Sequence, residues 1–109
     1  MNIQELMARS DEVAALLKAM SNGKRLMVLC ELSKGERSVS SLEARVPLSQ
    51  SALSQHLAKL RQARLVATRR EAQTIYYSLA DPRVAHLMTA LYGLFCSSGK
   101  PKRKKETSR

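Results

Sequence analysis

Residues 49–79, SQSALSQHLAKLRQARLVATRREAQTIYYSL, decide the fold. Leu53, Leu57 and Leu60 recur at helical spacing and form a stripe that seats a helix on a core. The opposite face carries Gln50, Ser51, Ser54, Gln55 and Lys59. A merely solvated face favours Glu and Lys, and Ser is a poor helix former. Short and amide-bearing side chains suit base edges instead: Gln pairs with adenine in bidentate fashion, and Ser bonds to several bases. Leu65–Thr68 and Thr74–Leu79 then read as two strands, rich in Val, Thr, Ile and Tyr. Arg69-Arg70-Glu71-Ala72-Gln73 connects them. Adjacent arginines beside a reading helix suit phosphate or minor-groove contact, and the alternative is a charged hairpin tip that keeps the sheet edge soluble. The candidate DNA contacts are therefore Gln50, Ser51, Ser54, Gln55 and Lys59 on the helix, with Arg69, Arg70 and Gln73 on the wing.

Upstream, Ser49 caps this helix, and Leu48 with Leu53 forms a hydrophobic staple across the cap. Ser40-x-x-Glu43 reads as a capping box for a short third helix that Pro47 ends. Two helices joined by Val46-Pro47-Leu48 make a helix-turn-helix. A second helix opens after Ser21-Asn22-Gly23 and stops at Gly35. Leu26, Leu29, Cys30 and Ser33 share a face on it, which predicts a well-buried Cys30. The first helix starts at an Asn2/Glu5 capping box and carries Ile3, Leu6, Met7, Val13, Leu16, Leu17 and Met20 at helical period. Downstream, Asp81-Pro82 starts a last helix. Its apolar stripe is Val84, Leu87, Met88, Leu91, Leu94 and Phe95, with Cys96 at the edge beside Tyr92. The expected fold is mainly α with a small β-hairpin wing, a winged helix-turn-helix in the order helix-helix-helix-reading helix-hairpin-helix.

The chain has 109 residues and a net charge of +10. That length holds one small domain, expected over 1–98, followed by a basic disordered tail, 99–109. The tail from Lys100 has six basic residues and one acid, a composition that cannot build a core and adds non-specific affinity for polyanions. No apolar run approaches the roughly 20 residues of a membrane span. The N-terminal MNIQELMARSDE lacks the basic-then-apolar pattern of a secretory signal. A cytoplasmic protein with no membrane partner is expected. No Ser/His/Asp arrangement, phosphate loop or metal quartet marks an enzyme.

The two cysteines, Cys30 and Cys96, lie far apart and form no CxxC signature. They read either as two small buried apolar residues or as a thiol pair able to throw a switch. His56, inside the reading helix, either contacts DNA or braces the turn, with bracing preferred. His86 reads as a helix-surface or dimer-interface residue.

This order of elements, with SQSALSQHLAKLR at its centre, resembles the ArsR/SmtB family of bacterial repressors over about Leu16 to Phe95. The resemblance implies a homodimer joined through its first and last helices. Such a dimer binds an inverted-repeat operator of double-stranded DNA with reading helices about one turn apart. Many members of the family sense metal. One type places Cys-x-Cys in the third helix, where this chain has Ser41, Leu42, Glu43 and Ala44. Another uses Asp, His and carboxylate ligands along the last helix, where this chain offers only Asp81 and His86. Tight transition-metal binding needs three or four ligands, so neither metal nor cofactor is expected.

The metal-free branch that includes the BigR, SqrR and HlyU regulators is more similar. The shared runs are LLKAMSNGKRLMVLCELSKGE, SQSALSQHLAKLR, EAQTIYY and YGLFC. That branch has one cysteine in the second helix and one in the last, matching Cys30 and Cys96. The resemblance implies a sensor of reactive sulfur species such as glutathione persulfide. A disulfide or a bridge with extra sulfur atoms then lowers operator affinity, and targets often serve sulfide detoxification. A metal-responsive repressor, and a constitutive regulator or anti-repressor with structural cysteines, are the alternatives. Arg64 departs from the family pattern: it stands where relatives commonly have a helix-ending glycine.

Overall fold

The computed structural model of the protein describes residues 1–96. The Asn2 side chain accepts a hydrogen bond from the Glu5 N–H (3.1 Å) and starts α1 (Ile3–Ala8). The single first helix read from the sequence is in fact interrupted. Arg9, at φ −106° and ψ 16°, leaves helical geometry and separates α1 from α2 (Ser10–Met20). Its N–H bonds to the Leu6 carbonyl three residues back, which closes the first segment. Asn22 then caps α3 (Gly23–Ser33) by accepting from the Lys24 and Arg25 N–H groups. Past α3 the chain turns at Gly35, whose φ of +131° suits a residue without Cβ.

The third helix of the sequence reading begins earlier than its Ser40-x-x-Glu43 box implied. A short strand, β1 (Arg37–Ser38), leads directly into α4 (Val39–Arg45). Ser38, in extended conformation, is the cap and accepts from the Ser41 N–H at 3.1 Å. Ser40 falls inside the first turn, with its hydroxyl 3.2 Å from that of Ser38. Val46 is extended, as a residue before proline must be. Ser49 caps α5 (Gln50–Gln62), the expected reading helix, by accepting from the Ala52 N–H at 3.2 Å. Asp81 caps α6 (Pro82–Phe95) in the expected way.

The wing consists of β2 (Val66–Glu71) and β3 (Thr74–Leu79), antiparallel from Val66↔Leu79 to Glu71↔Thr74. Arg69, Arg70 and Glu71 therefore lie in a strand rather than in a loop, and only Ala72 and Gln73 turn the chain. The ladder extends further because each of these residues finds a partner on β3. On the other edge of β3, β1 adds a third strand that the sequence reading did not contain, giving the order β1-β3-β2.

The core is a single cluster. Leu53, Leu57 and Leu60 of α5 join Val28, Leu29 and Leu32 of α3, Leu42 of α4, Leu65 and Val66, and Val84 and Met88 of α6. Cys30 is not part of it. The expected deep burial fails because the core face of α3 is centred on Val28, Leu29 and Leu32, which leaves Cys30 exposed beside α6. The stripe of α6 divides in a similar way. Val84 and Met88 are buried, whereas Tyr92, Leu94 and Phe95 are 61%, 77% and 81% exposed. Ile3, Leu6, Met7 and Leu17 of α1 and α2 are also exposed. The expected domain end at 98 and the basic tail, 99–109, lie outside the described residues.

Arg64 follows α5 with φ +63°, the left-handed region in which a Cβ is unfavourable. Replacing it with glycine removes that strain but loosens the unfolded chain. Arg64→Gly is expected to raise stability by about 0.5–1 kcal/mol, seen as a higher midpoint in thermal or urea unfolding. An unchanged or lower midpoint would mean that the strain relieved at Arg64 does not exceed the entropy that glycine adds to the unfolded chain.

Candidate DNA-binding face and thiol groove

The leucine stripe of α5 turns its other face outward, so Gln50, Ser51, Ser54, Gln55 and Lys59 are all exposed. The Ser51 hydroxyl lies 3.4 Å from that of Ser49. An open groove of about 620 Å³ runs between this helix and the wing, lined by Ser54, Ala58, Arg61 and Gln62 on one side and Ile75 and Tyr77 on the other. Arg61 was absent from the sequence-predicted contacts. Its signal was available, since Ser54, Ala58 and Arg61 stand at i, i+4 and i+7 on one helix face.

The two wing arginines are unlike each other. Arg69 makes a bidentate pair with Glu36, both contacts at 2.9 Å, and reaches Glu71 at 3.3 Å. Its guanidinium also lies 4.5 Å over the ring of its cross-strand partner Tyr76. Glu36 and then Glu71 hold it firmly charged, and in return Arg69 holds the Glu36 carboxyl below its ordinary range. Arg69 thus fastens the wing to the segment before β1. Arg70 is exposed and makes no ion pair among the described residues. Gln73 is exposed at the turn itself.

His56 acts as a brace on the inner flank of α5. Its Nδ1 accepts from Arg25 Nε at 3.2 Å, while Arg25 Nη1 donates to the Ala19 carbonyl at 3.1 Å. One guanidinium thus joins α2, α3 and α5. An accepting Nδ1 requires a neutral ring. Desolvation, followed by the charges of Arg25 and Lys59, pushes the His56 pKa down.

Cys30 and Cys96 line one apolar groove between α3 and α6, about 240 Å³ in volume, with Leu26, Met88, Leu91, Tyr92 and Phe95. A second opening beside it contains Cys30, Ser33, Lys34, Met88, Thr89 and Tyr92. Cys96 ends α6, and its N–H donates to the Tyr92 carbonyl at 2.8 Å. Both cysteines are free and exposed in the single chain. Burial against the groove wall pushes the Cys30 thiol above its ordinary range; Cys96 and Glu31 add to this, and Lys34 opposes it. Glu31 in turn draws Arg37 (3.6 Å), Lys34 (3.8 Å) and Arg45 (3.9 Å). Among the described residues, no three His, Cys, Asp or Glu side chains gather as a metal set. No described helix is long and apolar enough to cross a membrane.

Residues 22–68 match the model for the bacterial regulatory proteins of the arsR family. The protein belongs to this family. It is 49% identical to the transcriptional activator HlyU of Vibrio cholerae, over 90% of this chain and 91% of that one. The crystal structure of the transcriptional repressor BigR from Xylella fastidiosa superposes with a TM-score of 0.85 at 43% identity, covering 88% of this chain and 98% of that one. A homodimeric winged helix-turn-helix DNA-binding domain from Mycobacterium bovis gives 0.75 at 30% identity, covering 92% and 93%. The three-stranded wing and the helical order described above are therefore those of winged helix-turn-helix regulators, and the family expected from the sequence is the one found.

Two titrations test the local chemistry. The His56 imidazole, followed by NMR, is expected to titrate below the ordinary 6.5, and Arg25→Ala should move it upward. A depressed folded-state value means that the contribution to stability is complete above the unfolded pKa. It is lost as pH falls through the folded one. An imidazole titrating at or above 6.5 would remove the brace. In Cys96→Ser, alkylation of Cys30 by iodoacetamide should keep accelerating with pH beyond the ordinary thiol range, because the thiolate is the nucleophile. A plateau near neutral pH would contradict the environment described for Cys30.

Proposed function

We propose that the protein is a sequence-specific transcriptional repressor, working as a homodimer on an inverted-repeat operator. Its operator affinity falls when Cys30 and Cys96 are joined by sulfur. The observation that carries this reading is that both thiols line one groove between α3 and α6. The similarity to regulators named as an activator and a repressor supports a role in transcription. The bare apolar residues of α1, α2 and α6 supply surface for a second copy. The cell compartment that fits this reading is the cytoplasm.

The chemistry balances without an external oxidant when the sulfur donor is itself oxidised. A cysteine thiolate attacks the outer sulfur of glutathione persulfide, forming Cys–S–SH and releasing glutathione thiolate. The partner thiolate then attacks the inner sulfur, closing a disulfide and expelling HS⁻. If both cysteines are first persulfidated, their condensation gives a trisulfide and releases H₂S. A direct disulfide requires Cα atoms about 4.4–6.8 Å apart, and a longer sulfur bridge tolerates more.

Helix α3 packs against both α6 and α5, so a bridge that moves α3 relative to α6 also moves a support of the reading helix. A coupling of about 1–3 kcal/mol changes affinity 5–150-fold. Intact mass after glutathione persulfide is expected to show a Cys30–Cys96 bridge, with weakened binding to duplex from the protein's own promoter. Cys30→Ser and Cys96→Ser should each bind DNA normally and fail to respond. A full response by either variant, or a bridge that leaves affinity unchanged, would return the cysteines to a structural role.

A further inference from the structure

The flank of α5 away from the wing faces an open basin of about 500 Å³, and this basin is basic. Its lining is Ala15, Lys18, Ala19 and Ser21 from α2 and its end, Arg25 from α3, and Lys59 from α5. Among the described residues, three cations and no acid line it. Lys18 and Lys59 form no ion pair among the described residues. Among the described residues the Arg25 guanidinium bonds only to neutral acceptors, the Ala19 carbonyl and His56 Nδ1, and no carboxylate there compensates its charge. Of the two acids on α2, Glu12 is already held by Arg9 and Arg83 at 2.8 and 2.9 Å, and Asp11 stands about two turns before Lys18, outside the lining. The positive field registers on His56, whose proton affinity is lowered in part by Arg25 and Lys59.

We propose that this basin is a phosphate-binding site that grips the DNA backbone on the side of the reading helix opposite the wing. The proposal rests on the DNA-binding reading above. A helix in the major groove lies between two phosphodiester strands, and the groove is only about 12 Å wide. Ser54, Ala58 and Arg61 line the groove toward the wing, on the flank of α5 that faces one strand. His56 and Lys59, three residues apart, share the other flank. Lys18, Arg25 and Lys59 then converge where the second strand passes. Lys18 and Lys59 supply mobile ammonium groups, while Arg25 is held rigid by its two hydrogen bonds. An interaction of this kind sets register and affinity but carries no sequence information.

The test compares Lys18→Ala and Lys18→Glu with wild type in the full chain. Binding is measured by fluorescence anisotropy at several salt concentrations. One probe is a duplex selected in vitro for wild-type binding, and the other is a random-sequence duplex of equal length. Lys34→Ala is the control, since Lys34, the residue that caps the C-terminus of α3, lies about 14 Å from Arg25 along the helix axis. With melting temperatures unchanged, Lys18→Ala should weaken both duplexes by the same factor. It should also reduce the slope of log affinity against log salt by about 0.9 for each phosphate that is no longer neutralised. Lys18→Glu should weaken binding more, and Lys34→Ala should leave the slope unaltered. An unaltered slope in both Lys18 variants, or an equal effect in Lys34→Ala, would overturn the proposal. Absence of salt-dependent binding by wild type to either duplex would instead overturn the DNA-binding reading itself.

Discussion

Everything in this molecule leans on the packing of α3 through Val28, Leu29 and Leu32. These three side chains are at most 2% exposed, and their helix touches α4, α5, α6 and β3. The leucines of α5 seat against that face, so the orientation of the reading helix is inherited from α3. Close-packed interiors transmit small displacements because they contain few voids to absorb them. The position of Cys30 gains its meaning from this. It follows Leu29 directly, so its backbone belongs to the central support while its side chain reaches the surface beside α6.

Polar interactions around this core lock the same geometry from outside. The Arg25 guanidinium joins three helices through a carbonyl and a neutral imidazole. Arg83 bridges its own cap Asp81 and Glu12 of α2, tying the start of α6 back to the N-terminal helices. Arg69 fixes the wing to Glu36. Exposed ion pairs contribute little stability individually, but each of these last two joins elements distant in sequence. They act mainly on orientation, which a DNA reader needs because duplex geometry sets the spacing of its contacts.

Much of the DNA-reading head was legible because its signals are local. A leucine every third or fourth residue, a serine cap before α5 and an Asp-Pro start to α6 each report on one turn of backbone. Arg64 stood out only through the resemblance, which places a helix-ending glycine at its position, and its backbone does have positive φ. Arg61 was overlooked although its signal was local, but much of what else was missed depended on partners elsewhere in the chain. The β1 strand is two residues long and exists only because β3 offers it an edge. Ser38 displaces Ser40 as the cap because β1 holds it extended. Arg69 and Arg70 look identical in the chain, and only the presence of Glu36 makes one a tether and leaves the other open to solvent.

The sequence by itself determined the order of elements of a winged helix-turn-helix and most of the apolar helix faces, because those properties follow from periodicity and from capping chemistry within a few residues, and its resemblance to known repressors pointed to the family. Only the tertiary structure decided that Cys30 lies at the surface in one groove with Cys96, and that Lys18, Arg25 and Lys59 border a single basin. Periodicity says which residues share a side of one helix. Which neighbour that side meets depends on how helices remote in sequence are set against a common core.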